Sequence, residues 1–262
     1  MVPYLMQIFL FRFVQLIMFK YMYNLKDAVF EVVIDRQRTL FQVIQFAAVF
    51  AVQISMFIML LKKVYLKKYV TWMFSLRQSL NPFMGISVIL IPLGIYVMYF
   101  NNFTGEYFEY NDETLVLYIL FFFIGALAEE LVFRGYFYKM LIKKNRKMAT
   151  YLVLFQAVIF TLAHINNPGN SYVRIGILFL AGILLGLIAL RGFLYAVMFH
   201  FLWNFLQAYL LGVNVSGYRF VGAVFNYPNA PAWESNIVCG LLLGVVVTVF
   251  LAIYYRDRKK LI

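Results

Sequence analysis

Eight stretches of the chain are long and apolar enough to cross a bilayer, and that repetition limits the fold more than any other feature. They run at about 4–22, 40–61, 82–100, 114–141, 148–165, 173–190, 193–211 and 237–255. A spanning helix needs roughly 17–25 mostly apolar residues, because in lipid each backbone polar group must be satisfied within the segment. Composition agrees, with 64% hydrophobic and 13% charged residues; a soluble domain carries roughly 25% charge. A water-soluble enzyme, a disordered chain and a disulfide scaffold are excluded, since the single cysteine, Cys239, has no partner for an internal bridge. The expectation is an all-α, polytopic integral membrane protein, residues 1–262 forming one bundle of about eight transmembrane helices.

The formal charge of +12 invites a nucleic-acid reading, but its distribution assigns it to topology. Lys62, Lys63, Lys67, Lys68, Arg77, Lys139, Lys143, Lys144, Arg146, Lys147, Arg191, Arg256, Arg258, Lys259 and Lys260 put 15 positive charges on one side of the alternating loops. Lys26, Arg36, Arg38, Arg174 and Arg219 put 5 on the other. The positive-inside rule places the first side in the cytoplasm. Both termini are then cytoplasmic and the protein is multi-pass in the plasma membrane, with the lipid bilayer and no nucleic acid as partner. Arg12 and Lys20 interrupt the first stretch, which either spans or lies flat at the interface. Residues 212–236 read as an external loop.

Charge inside the spans is scarce and therefore informative. Of eleven acidic residues, Glu129 and Glu130 alone fall within an apolar stretch, in ALAEELVFRGYFY. An ionisable group at mid-membrane costs on the order of 2.5–3.5 kcal/mol, so such groups pair, line a wet cavity or do chemistry. Arg134 is the i,i+4 partner of Glu130. Glu129 points about 100° away and is not consumed by that pair. The chain's two histidines, His164 and His200, both lie in apolar stretches. Phe160 precedes His164 by one turn, and Asn204 follows His200 by one turn.

Glu, His, His and Asn together suit two kinds of chemistry. In one, Glu129, oriented or assisted by His164, deprotonates a water that attacks a peptide carbonyl, while His200 and Asn204 donate to the oxyanion. In the other, Glu129, His164 and His200 hold a divalent metal such as zinc with an open position for water. The one-helix HExxH spacing of a zincin is missing, and no metal is committed to. Cys239 lacks a neighbouring histidine, and no GxSxG elbow is present. The GxxxG pairs Gly182/Gly186 and Gly240/Gly244 read as close helix packing. Gly125, Ala126 and Ala128 give the glutamate helix a small-residue face that a helix or a substrate can approach.

Glu129-Glu130-x-x-x-Arg134, Phe160-x-x-x-His164 and His200-x-x-x-Asn204, in that order on separate helices, resemble the motifs of the CPBP family. This is the CAAX protease and bacteriocin-processing (Abi) group, related to the type II CAAX prenyl endopeptidases. The resemblance covers about 110–211. It implies an eight-span helical fold with an intramembrane peptidase site, Glu129 activating water with His164, and His200 and Asn204 at the oxyanion. Glu130, Arg134 and Phe160 orient the site. Within that family both metallo and metal-free mechanisms are proposed, and an asparagine beside a histidine suits an oxyanion better than zinc. Bacterial relatives imply peptide maturation, signalling or bacteriocin immunity, with a peptide or small membrane protein as substrate.

Two further readings compete: a non-catalytic immunity or scaffold protein that binds a peptide or membrane partner, and a transporter or proton relay. The second calls for inverted repeats, and the sequence shows none. A depth mismatch also follows from the stretch boundaries. Glu129 falls near mid-membrane, His164 toward the outer face and His200 toward the inner half. Bringing them together requires a broken or tilted helix, expected near Asn166-Asn167-Pro168-Gly169.

Overall fold

The computed structural model describes residues 31–33, 106–107, 112–135, 148–165, 167, 169, 171–210, 212–216, 219–221, 225–226 and 237–259. The stretches expected at 4–22, 40–61 and 82–100 lie outside the described residues. Within them stand five α-helices: α1 (Asp112–Glu130), α2 (Met148–Ala163), α3 (Tyr172–Arg191), α4 (Phe193–Phe205) and α5 (Ile237–Lys259). Single π-turns extend α1 over Leu131–Gly135 and α4 over Leu206–Leu210. Four short strands qualify the all-α expectation: β1 (Glu31–Val33) pairs parallel with β3 (Arg219–Val221), and β2 (Glu106–Tyr107) pairs antiparallel with β4 (Phe225–Asn226).

Among the described residues, Tyr172–Arg191 and Phe193–Leu210 are long and apolar enough to cross a membrane, and Ala149–Ala163 and Ile237–Ala252 are shorter apolar helices. Their outward faces are apolar as well as their buried ones. On α2, Tyr151, Phe155, Val158 and Leu162 recur at helical spacing and are exposed, whereas Gln156 on the opposite side is buried. On α5, Ile237, Leu241, Val245 and Val249 repeat the pattern, with Cys239, Leu243, Val246 and Val247 turned inward. Large apolar side chains outside and polar ones inside suit lipid as the solvent.

Helix α2 packs on α3, α5 on the other side of α3, and α1 on α4. The α2–α3 seam is the closest. A Cβ at Gly182 would lie 2.9 Å from the Ala157 Cα, so only glycine permits this approach. One apolar cluster fills the space among α2, α3, α5 and the first half of α4. A second, with Tyr118, Phe122, Phe201 and Tyr209, joins α1 to the end of α4. These two helices run antiparallel: the C-terminal end of α1 lies beside His200, and the Tyr118 and Tyr209 rings meet at 4.9 Å between centroids.

Local sequence sets the breaks. Ser171 caps α3, its hydroxyl accepting from the Arg174 N–H at 3.2 Å. Helices α3 and α4 are joined by Gly192 alone, where a Cβ would meet the Tyr195 ring at 2.8 Å. Helix α2 stops at Ala163, so His164 sits in the turn beyond its end, and Gly169 follows with φ 66°. The irregular backbone expected near 166–169 is therefore present, but it starts at His164 itself. The stretch 114–141 is likewise no single helix, because α1 gives way to a π-turn directly after Glu130.

Two other expectations are corrected. Arg174, counted as an external-loop charge, stands in the first turn of α3 and is 1% exposed. The start of the supposed external loop 212–236 packs inward: Val213 and Val215 are buried, and the Val213 N–H donates to the Gln207 carbonyl at 3.0 Å.

Candidate active site

The two adjacent glutamates end α1, and the backbone change behind them gives each a different neighbourhood. Glu130 is fully buried, and its Oε1 accepts from Arg134 Nη1 at 2.5 Å and from His200 Nδ1 at 2.8 Å. The i,i+4 pair read from sequence is thus formed, across the π-turn. Arg134, also fully buried, makes a longer contact from Nη2 to the Gly182 carbonyl at 3.4 Å. Its guanidinium carbon lies 4.9 Å from the centre of the Phe160 ring, in cation–π range. Each of these contacts offsets part of the cost of removing a charge from water.

Glu129 faces the other way. Its Oε2 lies 3.7 Å from His164 Nε2 and 3.7 Å from His200 Nε2. That is too long for direct hydrogen bonds, and it leaves room for one bridging atom. The oxygen has no hydrogen-bond partner among the described residues. All three groups are buried. The depth mismatch inferred from straight helices is resolved by the helix end at Ala163 and the π-turn after Glu130, which lie on either side of the cluster.

Hydrogen-bond partners fix the histidine tautomers. His164 Nδ1 stands 2.7 Å from the Phe160 carbonyl, which only accepts, so Nδ1 carries the proton. His200 Nδ1 faces a carboxylate already paired with Arg134, so it too is the donor. In their neutral forms both rings therefore turn an Nε2 lone pair toward the Glu129 carboxylate. Three acceptors face one space, and what occupies it must bring protons or positive charge. Phe160 helps hold both rings, with centroids 4.4 Å from His164 and 6.2 Å from His200.

The donor types, two imidazoles and a carboxylate with hydrogen-bonded outer partners, are those of a zinc site. The two 3.7 Å separations from Glu129 Oε2 are a few tenths of an ångström wider than the roughly 3.4 Å between donors bonded to one tetrahedral zinc. Glu129, His164 and His200 are the residues that would hold such an ion, which would supply Lewis acidity to a bound water; no step below is routed through it. Asn204 lies one turn beyond His200 on α4, half-buried. The structure thus brings Glu129, Glu130, Arg134, Phe160, His164 and His200 into one cluster, with Asn204 at its edge.

Some polar residues of this region escaped the sequence reading. Gln156, one turn before Phe160 on α2, donates from Nε2 to the Gly182 carbonyl at 2.7 Å and to the Val153 carbonyl at 2.9 Å. Arg174 is near enough for its charge to act on His164. Gln207 is fully buried on the second π-turn. Gln156 had a usable signal, since it shares the helical stripe of Phe160 and His164.

Comparison with known proteins adds the family. No curated protein and no solved structure matches the chain. The sequence profile of a family described as type II CAAX prenyl endopeptidase Rce1-like matches residues 111–206. That span opens at the start of α1, closes at the second π-turn and contains all seven motif residues. Over residues 111–206, somewhat more than a third of the chain, the sequence is similar to this Rce1-like family of CAAX-type endopeptidases.

Proposed function

We propose that the protein hydrolyses a peptide bond of a small peptide or membrane protein, with Glu129 as the base that activates water. The observation that carries this reading is the pair of 3.7 Å separations from Glu129 Oε2 to the two Nε2 atoms. A water seated there donates one hydrogen to Glu129 and one to His164 Nε2. It attacks the carbonyl carbon as Glu129 takes its proton, and Glu129 then returns that proton to the leaving amine.

Oxyanion stabilisation falls to Asn204 and His200. Because His200 Nδ1–H is held by Glu130, its Nε2 can donate only in the imidazolium form. The Glu130 carboxylate is positioned to stabilise that cation. Arg134 and Phe160 act as positioning residues, the first through Glu130 and the second through the His164 ring. Within the membrane, both termini are assigned to the cytoplasm from the loop charges, and the physiological role to peptide maturation, signalling or bacteriocin immunity.

The test compares membrane peptides by mass spectrometry in cells carrying the wild-type chain, Glu129→Gln or His164→Ala at equal membrane abundance. Cleavage products are expected with the wild type alone. Full processing by Glu129→Gln would end the hydrolase reading and leave the non-catalytic immunity or scaffold role.

A further inference from the structure

Helix α2 carries one side-chain amide in its apolar stretch, Gln156, and the closeness of the α2–α3 seam decides what that amide reaches. Because residue 182 is a glycine packed on Ala157, its carbonyl comes within 2.7 Å of Gln156 Nε2. The Val153 carbonyl takes the second amide hydrogen at 2.9 Å. Both acceptors are carbonyls, so the end of the side chain that meets them is the NH2 end. With both hydrogens used, the buried carboxamide is locked in place.

The same Gly182 carbonyl is the acceptor that Arg134 Nη2 approaches at 3.4 Å. A carbonyl oxygen has two lone pairs. Inside a helix one serves the N–H four residues on; Gln156 takes the other, and the guanidinium is held off at the longer distance. Arg134 has little else to fix it. Its Nε lacks a hydrogen-bond partner among the described residues, and its one short bond runs from Nη1 to Glu130 Oε1. That oxygen also accepts from His200 Nδ1 at 2.8 Å. A neutral amide in the closed seam is thereby linked, through one carbonyl and one guanidinium, to a ring that faces Glu129.

We propose that Gln156 is a positioning residue: by occupying the Gly182 carbonyl it keeps the Arg134 guanidinium on Glu130, and so sets how strongly Glu130 holds the Nδ1–H of His200. Without the amide, Arg134 Nη2 closes on the freed lone pair and moves off Glu130 toward α3. More of the carboxylate's charge is then left to His200. Gln156 itself touches neither substrate nor the reacting atoms. Its part in catalysis rests on the hydrolase reading; the linkage to His200 does not.

The linkage can be read without turnover. The chain's two histidines both lie in the site, so protein isotope-labelled on the histidine ring nitrogens, purified in micelles without a polyhistidine tag, reports on the site alone by NMR. His164→Ala assigns the two Nδ1–H resonances. Gln156→Met keeps the side-chain length and loses the donor, whereas Gln156→Asn keeps an amide that is one methylene shorter. Both are expected to move the His200 Nδ1–H resonance downfield, as for a stronger hydrogen bond. The His164 resonance, from a proton held by the Phe160 carbonyl, is expected to stay in place. Arg134→Lys keeps the charge but removes the guanidinium fork, and in that background Gln156→Met is expected to move His200 no further. With a cleavable peptide, kcat of Gln156→Met is expected to fall about tenfold, the factor given by about 1.4 kcal/mol, with KM unchanged.

An unmoved His200 resonance in both variants overturns the proposal. So does an equal shift of both histidines, which would mean a general repacking of α2, and so does an undiminished shift in the Arg134→Lys background. A shift of His200 with kcat unchanged removes Gln156 from catalysis and overturns its positioning role. If the His200 shift is found but wild-type protein cleaves nothing, the hydrolase reading falls and the linkage stands.

Discussion

Two glycines mark opposite kinds of helix seam. At Gly182 a Cβ would lie 2.9 Å from the backbone of Ala157, whereas at Gly125 it would meet nothing within 4 Å among the described residues. The α2–α3 seam is closed, and the Gly182 carbonyl there receives both Gln156 and Arg134, while Gln156 Oε1 and Arg134 Nε stay without a hydrogen-bond partner among the described residues. Along the α1–α4 seam, Glu129 Oε2 and both amide atoms of Gln207 have no such partner. A membrane protein gains little by leaving polar groups unpaired in a dry interior. The difference separates a seam closed backbone to backbone at Gly182 from one that leaves space beside Gly125.

The adjacent glutamates carry a second contrast, because Glu130 Oε1 is held by Arg134 and His200 whereas Glu129 Oε2 has no hydrogen-bond partner among the described residues. Glu129→Gln is expected to lower turnover by roughly 10²–10⁴-fold, the range for loss of a general base, and to leave the thermal midpoint nearly unchanged. Arg134→Met removes the partner of a fully buried carboxylate and should destabilise by about 3–5 kcal/mol, read as a large drop in the midpoint in detergent. Were Glu129→Gln the one to unfold the protein, the roles of the two glutamates would be reversed.

A smaller effect falls on the oxyanion side. Asn204→Ala deletes one donor and is expected to reduce kcat by roughly 10²–10³-fold with KM little altered, since the donor acts on charge that develops in the transition state. A rise in KM at constant kcat would move Asn204 from the reacting carbonyl to substrate binding.

Much of the closed cluster was legible in the sequence, for a physical reason. Ionisable residues in apolar stretches stand out because they are costly there, so Glu129, Glu130, Arg134, His164 and His200 declared themselves. The 100° step between neighbours points the two glutamates into different surroundings, and the structure gives them different partners. What stayed hidden was backbone irregularity. No residue pattern announces the π-turn after Glu130, and a ruler laid along straight helices put the two histidines at different depths. Arg174 was misread because two residues decide whether a charge lies in a loop or in the first turn of a helix. Gln156 and Gln207 were missed because neutral amides carry little insertion cost, although once buried they need partners as surely as charges do.

The mildest substitutions return to the two glycines and differ in sign. Gly182→Ala places a methyl group against the Ala157 backbone, which cannot yield as a side-chain tip can, so α2 and α3 must separate. Overpacking of this kind costs about 1–3 kcal/mol. It should also lower activity, because the displaced Gly182 carbonyl is shared by Gln156 and Arg134. Gly125→Ala adds the same methyl to open space and gains the helix preference of alanine over glycine, about 0.5–1 kcal/mol. The thermal midpoint should therefore fall for the first and hold or rise for the second. Equal losses at both positions would mean that the space beside Gly125 is as closed as the α2–α3 seam.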